Sequence, residues 1–151
     1  MALAVILAAG LAWWLFHPRP TDRELIDQLI ARAVHGVETK SVDEIMGCVA
    51  PDYQDELGLR QVDVWRGAMR WGQTVDKAEV EISDYRVDIH PPTATGTLEV
   101  RLTITQNGHY LEPEPLHLMV QFEQERQRWR KVWLVKSVSG YGQSRTLEDL
   151  M

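Results

Sequence analysis

Around residues 97–105 apolar and polar side chains alternate without a break. Leu98, Val100, Leu102 and Ile104 take one side, and Glu99, Arg101 and Thr103 take the other. This period of two predicts a strand with one buried face and one wet face. Upstream, Val80 and Ile82 alternate with Glu79 and Glu81, and Tyr85, Val87 and Ile89 alternate with Arg86, Asp88 and His90. The phase slips by one residue between Ile82 and Tyr85, which predicts a bulge at Ser83 and Asp84 that bends the strand. Pro91 and Pro92 turn the chain between these strands. Asn107 and Gly108 supply the two positive-φ positions of a tight hairpin. Pro113 and Pro115 interrupt the return, which fits an edge or a bulge better than a central strand. The alternation resumes at Leu116, Leu118, Val120 and Phe122, and a last strand is expected over residues 129–138.

Before Lys77 the period is helical. Thr21 with Glu24 makes a capping-box pattern ahead of Leu25, Ile26, Leu29, Ile30, Ala33, Val34 and Val37. That spacing lays a broad apolar stripe along a helix of about four turns. Ser41 with Glu44 repeats the cap, and Ile45, Met46 and Val49 give a short second helix stopped by Pro51. After a polar turn, a third helix is expected from residue 60 to about residue 71. It carries Val62, Trp65, Ala68 and Met69 on one side and ends at Gly72. Three helices followed by a bent, mostly antiparallel sheet of about four strands define an α+β domain with its helices on one face of the sheet. The domain spans residues 21–139, and residues 140–151 read as a loose tail.

One segment belongs to neither pattern. Residues 1–16 contain no charge and no polar side chain, and His17, Pro18, Arg19 and Pro20 follow as a linker. Sixteen helical residues rise about 24 Å, against a hydrocarbon core of roughly 30 Å. Trp13 and Trp14 suit the headgroup level, which lets a short helix reach both interfaces. A cleaved signal fits less well: no Lys or Arg precedes the run, and its small residues lie inside it. The reading is one retained N-terminal apolar helix, a single-pass anchor that tethers the domain to a membrane. Arg19 and Arg23 pull towards the cytoplasm, with Asp22 and Glu24 between them. A bacterial signal anchor would instead leave the domain exported, periplasmic or extracytoplasmic, and that is the expectation.

Charge and cysteine narrow the class. All 16 basic and 22 acidic residues fall after the apolar run, for a net charge of −6. This balance argues against nucleic-acid binding, which needs clustered positive charge. Arg126, Arg128, Arg130, Lys131 and Lys136 read as a solvated strand face, offset by Glu123 and Glu125. Cys48 is the single cysteine, so no intrachain disulfide and no cysteine-based metal site is available.

In this arrangement the chain resembles the nuclear-transport-factor-2-like superfamily, which includes ketosteroid isomerase. The resemblance rests on the long first helix, on residues 42–49 leading to Ala50, Pro51, Asp52 and Tyr53, on the third helix, and on the late Trp129, Arg130, Lys131 and Val132 strand. It implies a cone-shaped pocket between a concave sheet and the helices, used by members for catalysis, for ligand binding, or only as a scaffold for dimers. It carries no catalytic signature.

The inward sheet faces, Leu98 to Ile104 and Leu116 to Phe122, are wholly apolar in alternation. They offer no evident base. The remaining catalytic candidates are Asp84, which a bulge can re-aim, and His117, whose register the prolines before it can shift. Asp88 and His90 form a two-ligand fragment at a strand end without a third partner, so no metal and no other cofactor is expected. Tyr53, Trp65 and Trp71 are the large amphipathic side chains nearest the expected cone mouth and are the candidates for contact with an apolar ligand. The leading expectation is a membrane-tethered, non-enzymatic binding or assembly domain that engages a protein partner or an apolar small ligand. The alternative is a small lyase or isomerase. A homodimer through the sheet is also expected, because Trp133 and Val135 lie opposite Val132 and Leu134 on one strand.

Overall fold

In the computed structural model the described residues are 19–140, apart from 112, 114, 128 and 129. The apolar run of residues 1–16, the first half of the linker and the tail from 141 onward lie outside them. Helix α1 is Asp22–Thr39. The Glu24 amide donates to Thr21 Oγ1 (3.2 Å) and the Thr21 amide donates back to the Glu24 carboxylate (2.7 Å). This is the expected capping box, and it satisfies two donors that a helix start otherwise leaves open. The helix ends at Lys40, whose φ of 58° turns the backbone left-handed. Helix α2, Val42–Met46, begins at Ser41, whose Oγ accepts from the Glu44 amide (3.4 Å). The two helices touch at Gly36. A Cβ there would lie 3.0 Å from Ile45 Cγ1, so a hydrogen is the only side chain that leaves this packing undisturbed.

Helix α3, Gln61–Thr74, departs from the expectation twice. It runs past Gly72 for two more residues, because Val75 caps it by donating to the Trp71 carbonyl (3.1 Å). Its apolar residues also do not share one face. Ala68 is buried and Trp71 half-buried, with the Trp71 indole donating to the Val37 carbonyl (3.0 Å), while Val62, Trp65 and Met69 are exposed. At 100° per residue, Ala68 and Trp71 lie on one side, and Val62, Trp65 and Met69 cluster on another.

The strands β1 (Lys77–His90), β2 (Thr93–Gln106), β3 (His109–Leu111), β4 (Pro115–Gln127) and β5 (Arg130–Ser139) form one antiparallel sheet. Its order is β1-β2-β4-β5, with short β3 also paired to β2. A cis Pro91–Pro92 bond makes the first turn, and Asn107 (φ 51°) and Gly108 (φ 74°) make the second, as their identities predict. Register slips between Ile82 and Asp84, where the alternation slips in sequence, and again between Gln121 and Phe122, where β5 carries an extra residue at Lys136. Bulges of this kind increase twist and bend the sheet.

The bent sheet closes over α1. Ile26 and Leu29 pack with Cys48, Ala94, Leu98, Val100, Leu116, Val120, Phe122 and Trp133. A second cluster of Val75, Ala78 and Ile104, with Trp71, Leu102 and Leu111 against it, lies under the C-terminal end of α3. The inward alternation read from β2 and β4 is therefore the face that packs. Asp22 fixes the other end of α1, accepting from the Gln124 amide group (2.8 Å) and the Trp133 indole (3.0 Å). Strand β5 is covered on both sides within the chain, since Trp133 and Leu134 are both buried. Apolar bulk on both faces of this strand therefore does not call for a second copy.

Candidate functional site

Where α1 crosses β1, a groove of about 580 Å³ remains open between them. Its floor is apolar: Ile30, Ala31 and Val34 from the helix, Val80 and Ile82 from the strand. The helix and strand run in opposite directions along it. At one end the Glu38 carboxylate accepts from the Val80 amide (2.9 Å), with His35 beside it. At the other end are Arg23, Asp27 and Tyr85. Residues 23 and 35 stand about 18 Å apart along a helix, so the groove is long and has a polar group at each end.

The Arg23 end is organised. Arg23 Nε donates to Asp27 Oδ1 (3.1 Å), one helical turn on, and the guanidinium lies 4.7 Å from the centre of the Tyr85 ring. Tyr85 comes from the inward alternation just beyond the first bulge, so its ring enters the groove instead of facing water. Its hydroxyl is buried without a hydrogen bond of good geometry. Burial pushes its pKa up to about 12, and the Asp27 carboxylate adds to the rise while Arg23 opposes it. Asp27 is close enough to act on this hydroxyl but not well aligned with it, which leaves the buried group open to a better-placed acceptor. At the other end, His35 Nδ1 stands 2.6 Å from the Glu44 carboxylate, which raises the imidazole pKa above its ordinary value.

None of the five residues singled out in sequence lines this groove. Asp84 sits at the bulge as expected but is turned to the outer face, exposed, with its carboxylate 3.6 Å from Arg86. His117 also stays on the outer alternation, because β4 keeps the same register past Pro115. The two residues flank Glu99, which pairs with Asp84 on one side and with His117 on the other. This row lies along a depression of about 230 Å³ on the outer face. Tyr53 is buried, its hydroxyl 3.5 Å from Asp55, and burial raises its pKa. Trp71 packs into the second cluster and Trp65 is exposed, so the three aromatic candidates are not brought together. Asp88 and His90 form an exposed pair 3.1 Å apart, and among the described residues no cluster of three metal-ligating side chains occurs.

Sequence reasoning missed Arg23, Asp27 and Tyr85. The signal was faint but present. Asp27 follows Arg23 by four residues and borders the apolar stripe, and Tyr85 is the one residue with a polar tip on the inward alternation of β1.

No protein-family profile matches the sequence, and no curated protein matches it. Solved structures do match in shape. A nuclear-transport-factor-2-like superfamily protein from Salmonella enterica superposes with a TM-score of 0.65 at 12% identity, covering 79% of this chain and 94% of that one. A nuclear-transport-factor-2-like protein from Cytophaga hutchinsonii gives 0.63 at 13% identity, over 80% and 97% of the two chains. An uncharacterized protein with a cystatin-like fold from Caulobacter vibrioides gives 0.61 at 15% identity, over 77% and 85%. Helices folded against a bent antiparallel sheet define the class, an α+β cone. Within it, this domain has the nuclear-transport-factor-2-like fold, as the order of its elements implied. Identities this low carry the fold alone.

Proposed function

We propose that the chain is a membrane-tethered binding domain whose groove between α1 and β1 holds an amphipathic small ligand. The observation that carries this reading is the groove itself: an apolar floor of Ile30, Val34, Val80 and Ile82 leading to a buried Tyr85 hydroxyl that makes no well-aligned hydrogen bond. An apolar ligand body covers the floor, and one acceptor on its head accepts a hydrogen bond from the Tyr85 hydroxyl beside Arg23. Small-molecule sites have this composition, mostly apolar with a few convergent polar groups. The tether rests on the uncharged residues 1–16.

The test uses the full chain held in lipid nanodiscs, titrated with the fluorescent probe 1-anilinonaphthalene-8-sulfonate against empty discs. Saturable enhancement is expected, lost in Val34→Arg and retained in Thr97→Arg on the outer face. Equal binding by all three proteins refutes the groove as the site.

The lyase or isomerase reading has one observation in its favour, the carboxylate of Asp27 beside the Tyr85 ring. Asp27 is about half exposed and ion-paired with Arg23. That arrangement suits binding better than proton abstraction, which calls for a base in a water-excluded site. Turnover of enolisable ketones or epoxides that Asp27→Asn abolishes would establish the enzyme instead.

A further inference from the structure

The apolar face that α3 leaves outside the core is concentrated. Val62 (50% exposed), Trp65 (47%) and Met69 (40%) are three of the six large exposed hydrophobics among the described residues. Projected around the helix, Val62, Trp65 and Met69 fall within about 60° of one another. Arg66 and Arg70 border that arc on one side. The acidic residue of α3, Asp63, lies beyond them and is bridged to Arg66 (3.1 Å). In a chain of net charge −6, this helix with its cap Arg60 has three arginines and one carboxylate. A central Trp, aliphatic neighbours and a basic border are the composition of a helix that lies in a membrane interface.

Connectivity ties the first turn of α3 to the strand that holds the start of α1, while its last turn lies at the far end of α1, where Trp71 donates to the Val37 carbonyl, so α3 runs alongside α1. The start of α1 is tied to β5 through Asp22 and Trp133. The start of α3 is tied to the same strand two residues further on: Gln61 Nε2 donates to the Val49 carbonyl (3.5 Å), and Val49 bridges Val135. Only residues 17–20 separate α1's cap from the apolar run, a reach of about 14 Å even when fully extended. A tether that short holds the nearby surface of the domain against the bilayer at high effective concentration.

We infer that α3 docks on the surface of an anionic bilayer, with Trp65, Val62 and Met69 in the interface and Arg66 and Arg70 among the headgroups. The inference rests on the tether proposed above. Docking orients the domain as well as retaining it, because a single short span alone leaves a domain free to swing about its linker.

The experiment places a nitroxide on Met69→Cys in the full chain, reconstituted in vesicles of mixed phosphatidylglycerol and phosphatidylcholine. Cys48 is buried, and unmutated protein serves as the labelling blank. A second label at Thr97→Cys reports the outer sheet face. The expected result is that the Met69 label collides with oxygen dissolved in lipid and loses most of its collisions with an aqueous nickel chelate, while the Thr97 label keeps them. Adding Trp65→Glu, or replacing the anionic lipid with neutral lipid, restores the nickel collisions. Protection of Met69 that disappears on tenfold dilution into lipid overturns the inference in favour of a second copy on this face. A chain that floats with vesicles while both labels stay aqueous overturns docking but leaves the tether standing. A chain that does not float removes the tether and the docking with it.

Discussion

His35 and Glu44 join the first helix to the second across an exposed 2.6 Å contact, and the chemistry of that contact is legible in its pKa. The Glu44 hydrogen bond, then its charge, raise the His35 imidazole above 6.5. A raised folded-state pKa stabilises the fold fully below the unfolded pKa, and that contribution fades as pH rises through the folded value. Proton NMR of the five histidines is expected to show His35 titrating above 6.5, and Glu44→Gln is expected to lower it towards the ordinary value. The pair is solvated, so its weight in total stability is small. Tyr85 titrates at the alkaline end. Burial and then Asp27 hold the phenol neutral up to about pH 12, so its stabilising share erodes as pH climbs from 10 towards 12. The ultraviolet difference titration between wild type and Tyr85→Phe should isolate one late ionisation, and Asp27→Ala should move that ionisation earlier. A difference curve centred at pH 10 would mean that the ring is solvated and the groove is not a site.

Elements were legible in sequence where a local pattern and a packing demand coincide. Thr21 and Glu24 cap α1 because both partners lie within one turn, and Leu98 to Ile104 face the core because a period of two leaves no other choice. The bulge near Ser83 showed as a phase slip for the same reason. Helix α3 was misread on its face because its apolar residues are spread around the axis. The choice between them was made at a distance, by the Val37 carbonyl accepting from Trp71 and by the Val75 cluster below. No spacing within α3 carries that information. The groove was illegible likewise, since Arg23, Asp27 and Tyr85 meet only after α1 crosses β1. The core assignment has a direct check. Leu29→Ala in the buried middle of α1 is expected to cost about 2–5 kcal/mol, and Leu102→Ala, at a half-buried position, the lower end of that range. Denaturant midpoints measure both, and a Leu102 variant more damaged than the Leu29 variant would place the main core under α3 instead of under α1.

At the scale of the molecule, the described domain and residues 1–16 pose different physical problems. The domain buries its apolar residues in two clusters, and among the described residues no helix is long and apolar enough to cross a membrane. The proposed attachment would then rest on the N-terminal run and on the exposed face of α3, two signals of unequal strength. A helix of uncharged residues gains a few tenths of a kcal/mol from each Leu, Ile, Val or Phe it inserts, and the sum resists salt and alkali. A surface helix held by one Trp, a few aliphatics and two arginines depends on anionic lipid and is screened by salt. The full chain is expected to stay in the membrane pellet through both high salt and alkaline carbonate. A chain lacking residues 2–16 is expected to cofloat with anionic vesicles at low salt only, and Trp65→Glu in that shortened chain should abolish even this. Fractionation followed by immunoblotting decides among the cases. A full chain released by salt would show that residues 1–16 do not span, and a shortened chain that survives carbonate would move the anchor into the domain itself.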